Sequence, residues 1–100
     1  MTLDVKIDGL TATGILAGRL DTAAATQFAT DMQPLLDNAD KQIVLDCTGL
    51  EFISSSGLRL FLTLRKASMA KGGKVLLRNV APAIKQVFTI TGFSSLFDFE

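Results

Sequence analysis

Four consecutive residues, Ser54-Ser55-Ser56-Gly57, set three hydroxyls side by side where a strand-like run gives way to a helix-like one. A hydroxyl in such a place can be a catalytic nucleophile, a helix cap or the acceptor of a phosphoryl group, and its surroundings decide which. The chain has no histidine and a single cysteine, Cys47, so a Ser-His-Asp triad, an imidazole general base and a His/Cys zinc site are all excluded. No G-x-x-x-x-G-K-S/T phosphate loop occurs and no acid-base pair is evident, which argues against a small enzyme or nucleotide-binding protein; no metal or cofactor is expected. Capping and phosphorylation remain. The first four N–H groups of a helix lack internal partners and carry partial positive charge, so a serine there either caps the helix or, once phosphorylated, keeps its phosphate among donors. Capping alone is the ordinary role of serines in this position.

The residues after the cluster add a pattern. Arg59, Thr63 and Lys66 fall at i, i+4 and i+7 and continue one helical face downward from Ser55. Charged stripes of this kind are usually solvated faces. Leu58, Leu60, Phe61, Leu62, Leu64, Ala67 and Met69 make an apolar arc wider than one buried stripe needs, so its margin can serve a partner. Asp21 and Asp46 stand at the ends of strand-like runs, where turn or cap chemistry is the usual reason for an aspartate.

These groups need a scaffold. A chain of 100 residues with 48% hydrophobic content can close one core but cannot divide into two ordinary domains, so residues 1–100 read as a single domain. Leu3, Val5 and Ile7 alternate with Asp4, Lys6 and Asp8, which predicts a half-buried strand; Gly9 permits a turn, and Thr11 to Leu16 returns as its hairpin partner before Gly18-Arg19-Leu20-Asp21 ends the run. Asp21 or Thr22 caps a helix with the stripe Ala25, Phe28, Ala29, Met32, Leu35 or Leu36, and Ala39, which Pro34 should kink or restart. Gln42 to Asp46 is short, apolar and β-branched, as a central strand is, and a loop from Leu50 should lead to a helix opened by Gly57 and stopped by Gly72-Gly73 after about Lys71. Lys74 to Leu77 gives a further strand, and Pro82 to Gly92 a last helix. Phe97 and Phe99 add a short terminal strand or pack on the core. Strands alternating with helices imply parallel pairing, and the opening hairpin makes the sheet mixed: an α/β fold of one mixed sheet flanked by helices.

Charge is balanced overall but not along the chain. Residues 1–50 hold seven acids and three bases, residues 51–100 three acids and seven bases, with no acid between Phe52 and Phe97. The phenylalanines there have core-like spacing and do not interleave with the bases as stacking platforms would, so nucleic acid is not the expected partner. No run approaches the ~20 apolar residues that cross a bilayer, no signal-peptide core is visible, and the lone Cys47 reads as a buried thiol; together these point to the cytoplasm and away from membranes.

The run Ile43 to Leu58, with Gly18-Arg19-Leu20-Asp21 upstream and Asn79-Val80-Ala81-Pro82 through Thr91-Gly92-Phe93 downstream, resembles the STAS domain of bacterial anti-sigma-factor antagonists over nearly the whole chain. The resemblance implies a partner that is a histidine-kinase-like serine kinase acting as the anti-sigma factor. That kinase phosphorylates the first serine of an Asp-Ser-Ser/Thr-Gly-Leu motif, which falls here on Ser55, followed by Ser56, Gly57 and Leu58. A PP2C-type phosphatase would reverse the modification, and the free protein would be a monomer. Where the family most often has aspartate this chain has Ser54, although a Ser-Ser-x-Gly-Leu-Arg variant, closer to this chain, also occurs among the antagonists. Asp21 and Asp46 match family positions. The implied function is release of a sigma factor by occupying its kinase, through a surface of Ser54, Ser56, Gly57, Leu58, Arg59, Thr63, Lys66 and Asp21. The alternative is a constitutive binding scaffold that uses the same surface without phosphorylation.

Overall fold

The alternation of Leu3 and Val5 with Asp4 and Lys6 forms the first strand, β1 (Thr2–Asp8), in a computed structural model that describes all 100 residues. Gly9, at φ +59°, turns the chain into β2 (Thr11–Leu20), which runs antiparallel to β1 with Thr11 opposite Asp8. Asp21 caps α1 (Thr22–Asp31), and the chain restarts after Met32 as α2 (Gln33–Asp37), with Pro34 in its first turn where the missing N–H costs nothing. Then follow β3 (Gln42–Ile53), α3 (Ser55–Ala70), β4 (Lys74–Arg78), α4 (Pro82–Ile90), a single 3-10 turn at Ser94–Leu96 and β5 (Asp98–Phe99). Gly72 at φ +77° and Gly92 at φ +78° stop α3 and α4 in the left-handed conformation.

The strands form one sheet in the order β1-β2-β3-β4-β5, antiparallel between β1 and β2 and parallel at every other step. Each parallel step is crossed by helix, α1 with α2, then α3, then α4, so the sheet is mixed and the fold α/β, as the sequence pattern requires. Alternate strand residues Ala12, Leu16, Ile43, Leu45, Cys47, Val75 and Leu77 join Phe28, Leu35, Phe61, Leu64 and Phe88 of the helices in a single core cluster. The phenylalanines bind the helices to one side of the sheet: Phe61 lies 6.0 Å from Phe28 and 5.9 Å from Phe88, and Phe88 stands 5.8 Å from Phe99, edge to face. The opposite strand positions carry Thr13, Ile15, Asp46 and Arg78, partly open to solvent. Ala29, expected in the buried stripe of α1, is exposed. No helix is long and apolar enough to cross a membrane.

The central strands are longer than the sequence suggests. β2 does not end before Gly18, and β3 continues through Leu50 to Ile53 where a loop was expected. The cause is non-local: Ala17, Gly18, Arg19 and Leu20 pair with Gly49, Leu50, Phe52 and Ile53 across two register shifts. Gly18, at φ +100°, absorbs one of these shifts in a conformation that other residues rarely adopt.

Gly73, just before β4, shows how closely the layers meet. Its N–H donates to the carbonyl of Ser68 at 2.8 Å, and a Cβ there would lie 2.3 Å from the carbonyl oxygen of Ala39 and 2.7 Å from that of Lys41. Both obstacles are backbone. Gly73→Ala is therefore expected to lower the unfolding free energy by about 1–3 kcal/mol, read from the urea midpoint. An unchanged midpoint would show that the turn before β3 gives way freely.

Candidate functional site

Ser54 is the hinge between β3 and α3. Its N–H donates to the carbonyl of Leu20 at 2.8 Å, closing the sheet. Its backbone is extended, and its Oγ accepts from the N–H of Gly57 at 3.2 Å while its carbonyl accepts from Leu58 at 2.9 Å. Ser54 is thus the N-cap, and α3 begins at Ser55, two residues earlier than the glycine expected to open it. This divides the labour among the three serines. Ser54 is half-buried and committed to the cap; Ser55, the first helical residue, is exposed; Ser56 is half-buried.

Gly57 and Leu58 do not belong to the surface on which the sequence reading places them. Gly57 is buried beneath it, and a Cβ would stand 2.7 Å from Leu20 Cγ and 3.0 Å from Ile53 Cγ1. It is required for space rather than for an unusual backbone angle, because the first turn of α3 rests on the ends of β2 and β3. Leu58 is 3% exposed and part of the core. Asp21, also placed on the docking surface, is half-buried and accepts from the N–H of Ala24 at 2.8 Å, so its carboxylate is the cap of α1.

What stays open is a face of Ser55, Arg59, Thr63 and Lys66, all exposed. The Thr63 hydroxyl donates back to the carbonyl of Arg59 at 3.0 Å. Beside this face runs a cleft of about 350 Å³, walled by Ser56, Arg59 and Leu60 of α3 and by Thr22, Ala25 and Thr26 of α1. Helix α3 contains no acid, and the one ion pair of the protein joins Arg78 to Glu100 at 3.2 Å, so neither Arg59 nor Lys66 has a carboxylate partner. The extended ends of β2 and β3 add a feature missed in the sequence: the Arg19 guanidinium lies 4.5 Å over the ring of Phe52, which is 39% exposed. Both residues were legible, but not their pairing, because it depends on strand ends hidden by the register shifts.

Asp46, half-way along β3, accepts from Thr48 through both its N–H at 3.0 Å and its hydroxyl at 2.6 Å, and Asn79 donates to that hydroxyl at 3.0 Å. The Thr48 bonds hold its carboxyl below the usual carboxylate range against the opposing effect of burial. Its contribution to stability is present above the ordinary aspartate range and lost as pH falls through the lowered folded value. Asp46 therefore does not close a strand as expected: it lies inside β3, and its bonds to Thr48 sit at the register shift between the Ile15–Asp46 and Ala17–Gly49 pairs.

This frame and this site have relatives. Residues 5–100 match the family described as the STAS domain. Over 97 residues the chain is 35% identical to BtrV of Bordetella bronchiseptica, which carries the name of an anti-sigma factor antagonist, covering 97% of this chain and 82% of that one. The chain belongs to the STAS domain family. The anti-sigma-B factor antagonist of Bacillus subtilis is 29% identical over 84 residues, 83% of this STAS domain and 75% of that protein. In fold, the domain is similar to SpoIIAA, a Bacillus cell fate determinant, in its unphosphorylated form (TM-score 0.79, 22% identity, 99% and 88% of the chains covered). It is likewise similar to SpoIIAA in its phosphorylated form (TM-score 0.73, 23% identity, 99% and 91% covered).

For a STAS domain the geometry explains Ser54. The position where the resemblance leads one to expect aspartate is the cap of α3, and serine and aspartate cap about equally well. Ser54→Asp is therefore expected to leave stability within a few tenths of a kcal/mol, whereas Ser54→Ala should cost about 1 kcal/mol. Gly57→Ala, which must displace Leu20, should cost about 1–3 kcal/mol. Thermal melts of the three variants check the order, and a Gly57→Ala protein as stable as the wild type would refute the packing role.

Proposed function

We propose that this STAS domain is a phospho-switched anti-sigma-factor antagonist: it occupies a serine-kinase anti-sigma factor, so that a sigma factor or equivalent effector is released, and phosphorylation of Ser55 ends the occupation. A PP2C-type phosphatase restores it. The observation that carries this reading is the division of roles at the head of α3, where Ser55 is the exposed hydroxyl and Ser54 is already bound as cap. A kinase can reach Ser55 without unfolding the turn, and the added charge of about −1.5 to −2 sits at the positive end of a helix dipole. Around it the unpaired Arg59 and Lys66 give the docking face a positive sign suited to an acidic surface on the partner. The names of BtrV and the Bacillus subtilis relative, and the two forms in which SpoIIAA exists, support the same reading.

A constitutive scaffold is the second reading, favoured by the neutral Ser54 in place of an acid next to the phosphoacceptor. Incubation with the partner kinase and ATP, followed by mass measurement and peptide mapping, separates the two. One phosphate on Ser55 is expected; phosphate confined to Ser54 or Ser56 would refute the register, and none at all would favour the scaffold.

The switch should act on binding and spare the fold. Ser55→Asp and the phosphorylated protein are expected to melt within a few degrees of wild type. The phosphorylated protein should bind at least about 30-fold more weakly, because negative charge brought against an acidic partner surface costs about 2 kcal/mol or more. Full-affinity binding by a verified Ser55-phosphorylated sample would sink the mechanism. Arg59→Glu or Lys66→Glu should slow association and flatten its salt dependence, measured by stopped flow, while leaving the melt unchanged.

A further inference from the structure

Three of the four arginines are engaged. Arg19 lies over Phe52, the Nε of Arg65 donates to the carbonyl of Leu96, and Arg78 pairs with Glu100. Arg59 is the exception: it is exposed, makes no side-chain hydrogen bond or ion pair, and stands four residues after Ser55 on the same helical face. Charged side chains at i and i+4 are within reach of each other on a helix. A guanidinium with free N–H groups in a plane matches a phosphate with two parallel hydrogen bonds.

From these observations we infer that Arg59 is the intramolecular clamp of the Ser55 phosphate, and that phosphorylation therefore withdraws Arg59 from the docking face as well as adding negative charge to it. The inference rests on the proposed switch and adds its internal partner. Two local facts leave the phosphate without a competitor. The α3 cap is filled by the neutral hydroxyl of Ser54, and no acid lies on α3 or in the wall of the cleft that Arg59 shares with Ser56. On the neighbouring ends of β2 and α1, Arg19 is held over Phe52 and Asp21 by the Ala24 N–H. Glu51, the acid nearest to Ser55 in sequence, stands four residues before it on β3. The clamp acts as a positioning residue: it touches the phosphate, not the kinase chemistry. One outcome is a two-sided change of surface, in which a cation offered to the partner becomes half of an internal ion pair.

The test uses the full chain with phosphoserine installed at position 55 during translation, so it depends neither on a kinase nor on the identity of the partner. Phosphorus NMR follows the second ionisation of the phosphoserine, ordinarily near pH 6. Wild type is expected to titrate lower than a phosphoserine peptide of residues 50–60, and Arg59→Gln should move the value back up by about 0.3–0.7 pH unit, the size of one charge contact at a helix end. Arg59→Lys should recover only part of the shift, since an ammonium cannot make the paired hydrogen bonds. Ser54→Asp, which keeps the cap but adds a like charge, should raise the value with Arg59 in place. A wild-type value equal to the peptide's, or one unchanged by Arg59→Gln, would overturn the clamp; the latter would assign the phosphate to the backbone of α3 alone. Kinase labelling of Ser55 tests the switch itself, so the two ideas fail separately.

Discussion

The hydrogen bond from the N–H of Ser54 to the carbonyl of Leu20 fixes where the sheet ends and α3 begins. It requires β2 and β3 to run side by side to their last residues, and it holds Ser54 extended so that its hydroxyl can turn back onto the N–H of Gly57. Gly57 in turn must have no side chain, because Leu20, the residue that accepts from Ser54, fills the space beneath it. Strand end, cap and helix floor therefore share two residues. Ser55, mounted on such a junction, is held by backbone hydrogen bonds at the start of a helix rather than by a long loop.

The rest of the molecule supports that junction from behind. Phe61, two turns below Ser54, contacts Phe28 of α1 and Phe88 of α4, so the direction of α3 is set by rings on both sides. Capping and packing do different work here. The cap decides which serine is free, and the aromatic layer decides which face of α3 is turned outward, placing Ser55, Arg59 and Lys66 in a row beside the α1 cleft. No acid interrupts that row.

Much of this was legible in the residues because it rests on local rules. Strand alternation in β1, the restart at Pro34, the glycine stops after α3 and α4 and the order of the elements follow from periodicity and backbone chemistry. Resemblance supplied the family. The misreadings came from relations that sequence does not display. The run from Leu50 towards the serines reads as a loop; only its pairing with Gly18, Arg19 and Leu20, across two register shifts, makes Leu50 to Ile53 strand. Gly57 and Leu58 sit inside a motif that reads as surface, yet the first turn of α3 faces Leu20 and Ile53, so both point into the core. Asp21 could be read as a contact or a cap, and the hydrogen bond from Ala24 decides for the cap.

The burial of Cys47 has a consequence for the kinds of signal this domain can record. The thiol is 1% exposed between the sheet and the helices, and burial, with the Asp46 charge as a smaller cause, pushes its pKa up to about 12. At neutral pH only about one molecule in 10⁵ carries the thiolate, the form that peroxide, disulfides and alkylating agents attack. Cys47 is thus closed to oxidants and electrophiles while the domain is folded, whereas Met69, 59% exposed, is not shielded from oxidation. A signal carried by thiol chemistry would pass this domain by until it unfolds.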